Sequence, residues 1–434
     1  MRAGFAETDI TPPIGTHKIG WLKDLVSESV HDPLSARIAV FGDGPDAIGF
    51  IQLDTLSVRW SQVQDIRSQI VARYGFPGES VLVSATHNHA GPAVASAGLV
   101  KRDGAYAATL TAKCVEAFGT ALANHAEAEI GHSGVFEFRV GFNRRVIMRD
   151  GTVQTHGSFR FPDALCLEGP VDPEVSVVAA RGKDGVLLGC IVNFTCHPTD
   201  YGDGPILSAG YPGVLAAEMK RHGWPVTLFL NGASGNISRT NPVVGSRIPM
   251  EEAGQILAED ALSAIGAMQF GDDWAVRATR TTVQLPYRDA TPEQQAGTVR
   301  GAQRFVDPAI YDELMPALAA RIAERGSQPA EVQALFLGNL AFVGIPAEYF
   351  VEHQLRIKQE TYPTHALVVG HANGMVGYVP TAAAFKRGGY ETTFAPSSRL
   401  APEAGDLLAD AAIRLVREHL GARFAGNRTS NTEH

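Results

Sequence analysis

Two hydrophobic periods alternate along the chain. Short apolar or β-branched runs predict strands over residues 37–41, 47–54, 81–83, 129–140, 174–180, 186–195, 226–230, 274–285, 331–343 and 366–369. Between them, apolar positions recur at helical spacing. Val63, Ile66, Ile70 and Val71 form one face of a helix over 61–74, closed by Gly75. Further helices are expected over 105–123, 210–222, 251–268, 348–360 and 402–420. Residues 291–326 read as mostly helical with a break near Pro308, so the middle region, about 270–330, is expected to be helical scaffold or pocket wall. Alternation of this kind points to an α/β (α+β) fold: layered mixed β-sheets flanked by helices. Length alone suggests two or three domain-sized units, followed by a polar, disordered tail over 421–434.

Composition narrows the class. The 434 residues are 45% apolar and 19% charged, enough to bury a large core. A net charge of −9 and the lack of a Lys/Arg block argue against nucleic acid as a partner. No run of eighteen apolar residues exists, so no membrane span is expected. Four cysteines without a CxxC pair and an N-terminus without an apolar leader suggest a reduced, cytoplasmic protein.

Chemistry concentrates where strands end. The run Val81-Leu82-Val83 leads into Ser84-Ala85-Thr86-His87-Asn88-His89-Ala90-Gly91-Pro92, and in an extended chain His87 and His89 share a side. Two imidazoles there suit a metal site at strand ends, or ordinary hydrogen bonding in a polar core. A second strand ends in Asn193-Phe194-Thr195-Cys196-His197-Pro198-Thr199, again a histidine stopped by proline. Arg144 and Arg145 close another strand, where arginines usually face solvent. Asn231-Gly232-Ala233-Ser234-Gly235-Asn236 resembles a nucleophile elbow, but Asn236 stands where that motif needs glycine. Glu348 at a helix start suits either the helix dipole or a metal, and Tyr378 and Tyr390 suit rim packing.

Taken together, the motifs at 84–92, 193–199, 231–238, Pro346-Ala347-Glu348-Tyr349-Phe350 and Asn373-Gly374-Met375-Val376-Gly377-Tyr378-Val379-Pro380 resemble, in order, those of the neutral/alkaline non-lysosomal ceramidase family. The opening Thr8-Asp9-Ile10-Thr11-Pro12-Pro13 is similar to that family's start. The resemblance implies a single catalytic domain over 1–420 and a metal-dependent amidase with one Zn2+ per chain, held by His87, His197, Glu348 and Tyr378. It implies His89 as the proton-transferring group, Arg144 (or Arg145, if the register slips) and Tyr390 as oxyanion donors, and no other cofactor.

Members of that family are longer, carry a secretion signal and end in an immunoglobulin-like domain, neither of which is legible here. The expectation is therefore cleavage of an N-acyl bond by metal-activated water in a soluble small molecule rather than in membrane ceramide. Alternatives are an esterase or lactonase of the same fold, a serine hydrolase using Ser234, and a non-catalytic relative that binds metal or ligand.

Overall fold

The computed structural model describes residues 1–430, with side chains through Gly421. Twelve principal strands fall into three units of identical layout. The first contains β1 (Arg2–Asp9), β2 (Ser35–Phe41), β3 (Ile48–Leu53) and β4 (Val81–Ala85). The second contains β5 (Ala126–Phe136), β6 (Glu174–Gly182), β7 (Leu187–Phe194) and β8 (Thr227–Asn231). The third contains β9 (Val276–Pro286), β10 (Ser327–Leu337), β11 (Leu340–Gly344) and β12 (His365–Val369).

In each unit the first three strands form an antiparallel meander, and a helix then carries the chain to a fourth strand parallel to the third. A parallel pair needs such a crossover, because a tight turn can only reverse direction. The crossover helices are α1 (Trp60–Tyr74), α3 (Gly210–Arg221) and α6 (Val351–Glu360), and each unit is closed by a further helix: α2 (Gly104–Ala123), α4 (Met250–Gly266) and α7 (Ala404–Ser430). The remaining long helix, α5 (Pro308–Arg325), lies between β9 and β10.

The first two units join through β1 and β5 into one eight-stranded sheet, ordered β8-β7-β6-β5-β1-β2-β3-β4, and the third unit is a separate four-stranded sheet. Phe41, Phe50, Leu82, Ile130 and Leu228 from the large sheet pack with Leu335 and Phe342 from the small one, so all three units share a central core. Outside it, each unit buries its own helix pair in a separate cluster. The layered mixed-sheet architecture expected from the periodicity is what the chain adopts.

Two boundaries differ from the sequence reading. Glu348 is not in a helix: Glu348–Tyr349 forms a short parallel bridge with Tyr378–Val379, and α6 begins at Val351. That pairing is nonlocal, so local periodicity carries no trace of it. The strand expected over 274–285 forms as the edge strand β9, and α5 packs through Met315 and Leu318 on Ala302 and Phe394. The closing helix continues through Ser430, past the tail expected from 421; residues 431–434 lie outside the described residues.

Candidate active site

The carboxyl ends of the three parallel pairs meet, and loops leaving rigid strands there supply the polar residues. His87 lies two residues beyond β4 and His371 two beyond β12, while His197 and Glu348 follow β7 and β11. Backbone and amide bonds tie the ends together. Gly370 N–H donates to Asn231 O (2.8 Å), Asn373 N–H to Val83 O (2.7 Å), and the Asn231 side chain to Thr86 O (3.0 Å). His87 and His371 both adopt left-handed backbone (φ 69° and 54°), sparsely populated for residues other than glycine, and their rings stack 4.0 Å apart at 12°.

Three imidazoles, those of His87, His89 and His197, offer ligand atoms within 4.8 Å of one another. Two are fixed from behind. His87 Nδ1 contacts Leu56 O at 2.9 Å and His197 Nδ1 contacts Ser234 O at 2.6 Å. A carbonyl only accepts, so each Nδ1 carries the proton and each Nε2 presents a lone pair, the arrangement usual for metal-ligating histidine. Both Nε2 atoms are buried without a hydrogen-bond partner.

Glu348 Oε2 lies 3.3 Å from His87 Nε2 and 3.4 Å from His197 Nε2, close enough for ion pairing but not aligned as hydrogen bonds. A tetrahedral ion with bonds of about 2.0–2.1 Å sets its donor atoms about 3.3 Å apart, and both Glu348-to-imidazole distances match that spacing. Burial opposes the Glu348 charge, while positive charge brought to the site, on His87 and then His197, draws its pKa well below the ordinary carboxylate range. Burial, with Arg144 next, pushes His197 down to about 4, which keeps the ring neutral. These residues can hold a metal ion.

His89 differs from the other two. Neither ring nitrogen has a partner, and burial together with His87 and His197 keeps the ring well below its usual pKa. Its side is also the more open one, whereas His87 and His197 are 2% and 1% exposed.

Arg144 and Arg145, adjacent in an extended segment, part company. Arg144 turns toward the site, donating from Nε to Glu391 (2.8 Å) and from Nη2 to Gly235 O (2.7 Å) and the Tyr378 hydroxyl (3.2 Å). Arg145 is bound between Glu168, Glu391 and Gly388 O. Tyr390 packs edge-on against Tyr378, ring centroids 5.8 Å apart, and burial raises both phenols above their ordinary pKa. Glu391, which aligns both arginines, carries no signal in the sequence. Burial opposes its charge, but Arg145 and then Arg144 hold it at about 2.

Ser234 is buried, and its backbone carbonyl is what fixes His197. Its hydroxyl lies 3.4 Å from His371 Nε2, a long contact, and His371 Nδ1 has no partner. A serine triad needs a carboxylate behind its histidine, and no described residue supplies one. His371 was not singled out in the sequence, although an apolar strand leads into it as one leads into His87. His156, left-handed at φ 55°, is held at about 4 by burial and then by Arg144. Clefts of about 460 and 390 Å³ on the helical flanks include none of these groups.

No protein-family model matches the chain, and no curated protein sequence does. Solved structures do. A neutral ceramidase from Pseudomonas aeruginosa superposes with a TM-score of 0.72 at 19% identity, covering 96% of this chain and 74% of that one. A ceramidase complexed with C2 gives a TM-score of 0.71 at 18% identity, covering 96% and 75%. The fold of this chain is therefore the one seen in the neutral ceramidase family.

Proposed function

We propose that the protein is a zinc-dependent hydrolase that cleaves an amide (N-acyl) bond of a soluble small molecule. The observation that carries this reading is the pair of buried Nε2 lone pairs, each fixed by a backbone carbonyl behind its ring and each facing the Glu348 carboxylate. The ceramidase names of the two fold neighbours favour an N-acyl bond as the target. Four free cysteines, three of them buried, suit a reducing compartment such as the cytoplasm.

His87, His197, Glu348 and Tyr378 would hold the ion. Such an ion lowers the pKa of water toward about 7 and polarises a carbonyl oxygen. The chain supplies the rest. His89, neutral and unpartnered, takes the proton of the attacking water and delivers it to the departing nitrogen. Arg144, held by Glu391 and Gly235 O, and Tyr390, a neutral phenol, donate to the oxygen that gains charge as the carbonyl carbon becomes tetrahedral. Glu391, itself held by Arg145 and Thr155, orients the Arg144 guanidinium.

A second donor set is favoured by the convergence of all three imidazoles, with His89 as ligand and Glu348 as base. Metal content separates the two sets: H89A keeps its zinc in the first and loses it in the second. The reaction itself is tested by assaying N-acyl amides, esters and lactones before and after chelation. Amide cleavage that chelation abolishes and zinc restores is expected. Turnover indifferent to chelators would overturn the reading.

A further inference from the structure

One side chain at the mouth of the site remains unexplained. Trp21 is 50% exposed, and leaving an indole in water forgoes a large apolar burial. Its place is nevertheless built. A Cβ at Gly202 would fall 2.2 Å from the Trp21 indole Nε1 and 3.2 Å from His89 Cβ, so the indole and the histidine flank the same point. At Gly20 (φ 151°) a Cβ would fall 2.3 Å from the His89 carbonyl oxygen. Two glycines thus let two segments close in on His89: Gly20, next to Trp21, against its backbone, and Gly202 between its Cβ and the indole.

The loop is also pinned at its ends. Lys18 Nζ donates to Tyr201 O at 2.9 Å, and residues 18–19 pair antiparallel with 91–92, the turn that follows His89. Beyond Trp21, Leu99 N–H donates to Leu22 O at 2.9 Å. A scattered surface tryptophan would have no such scaffold.

The place of His89 in the reaction gives the indole a meaning. If His89 hands a proton to the departing nitrogen, the group on that nitrogen emerges beside His89, against Trp21. We propose that Trp21 sets leaving-group specificity: its indole face receives an aromatic or alicyclic ring carried by the amine half of the substrate. This rests on the His89 assignment of the preceding section. Flat rings stack on an indole in a way that small or polar amines cannot.

The test compares wild type, W21A and W21F on two amides that share an acyl group, one releasing benzylamine and one methylamine. Wild type should favour the benzylamide. The benzyl-to-methyl ratio of kcat/KM should fall about tenfold in W21A and be largely restored in W21F. A second readout needs no turnover: benzylamine should quench tryptophan fluorescence saturably in wild type, and that component should vanish in W21F. Zinc content and the thermal midpoint show whether each variant is folded. A ratio that W21A leaves unchanged overturns the proposal, as does wild-type fluorescence that benzylamine does not quench. Saturable quenching without hydrolysis of any amide would keep the Trp21 subsite and instead overturn the assigned reaction.

Discussion

Two buried polar regions of this molecule are built on opposite terms. Where the first and third units meet, Arg67 of α1 grips Glu331 of β10 through two parallel contacts, Nη2 to Oε1 at 2.9 Å and Nη1 to Oε2 at 3.2 Å. Its Nε donates to Val81 O, and Arg280 adds a second cation to Glu331. In the candidate site, His87 Nε2, His197 Nε2 and both nitrogens of His89 are buried with no partner. An unsatisfied buried polar group costs about 1–3 kcal/mol, and native proteins keep few of them. The first region spends its charges on holding units together. The second keeps lone pairs free for something that is not protein.

Variants should separate the regions cleanly. The largest effect is expected for E348A, which removes the shared carboxylate: zinc should be lost and turnover fall by more than about a thousandfold, with the melting temperature of metal-free protein little changed. Thermal melts that collapse in the metal-free variant would mean that Glu348 is structural. E331A should do the reverse. It strands Arg67 in the core and should lower unfolding free energy by about 3–5 kcal/mol in denaturant titrations, while the surviving folded protein keeps its zinc. Loss of zinc at equal folded fraction would show that the two regions are not separable.

Next comes Y390F, expected to reduce kcat by about a hundred- to a thousandfold while zinc binding and stability hold, since it removes only the hydroxyl proposed as an oxyanion donor. A change confined to KM would place Tyr390 in substrate binding instead.

The smallest effect concerns pH. His132 at the joint of the second and third units is pushed to about 4 by burial and then by His365, and its Nε2 lies 2.9 Å from Ser176 Oγ. Its folded pKa is below the unfolded value, so on acidification the unfolded chain takes up the proton first. Stability from this group is therefore present above about pH 6.5 and lost between about 6.5 and 4, at most about 3 kcal/mol. H132Q should flatten that segment of a stability-versus-pH curve, and an unaltered slope would remove His132 from the explanation.

What the chain disclosed before folding follows from which interactions are local. Strand ends marked by a following glycine or proline put His87, His89 and His197 in view, the ordered motifs added Glu348 and Tyr378, and the family resemblance they carry added Arg144 and Tyr390. The choice between Arg144 and Arg145 was not legible, because both are buried and only their distant partners, Tyr378 for one and Glu168 for the other, tell them apart. The threefold repetition of the fold was equally hidden. Equivalent strand ends carry His87, Ala233 and His371, so the repeat survives in topology and register but not in residue type. Glu391 and Trp21 matter only through contacts made across more than sixty residues of sequence, which no local pattern encodes.

The most direct measurement is elemental analysis of wild-type, E348A and H89A protein after exhaustive dialysis against zinc-free buffer and again after reloading. One zinc per chain in wild type and H89A, with none in E348A, is the predicted result. Wild-type protein that binds no zinc on reloading, yet still hydrolyses an amide in the presence of a chelator, would contradict it.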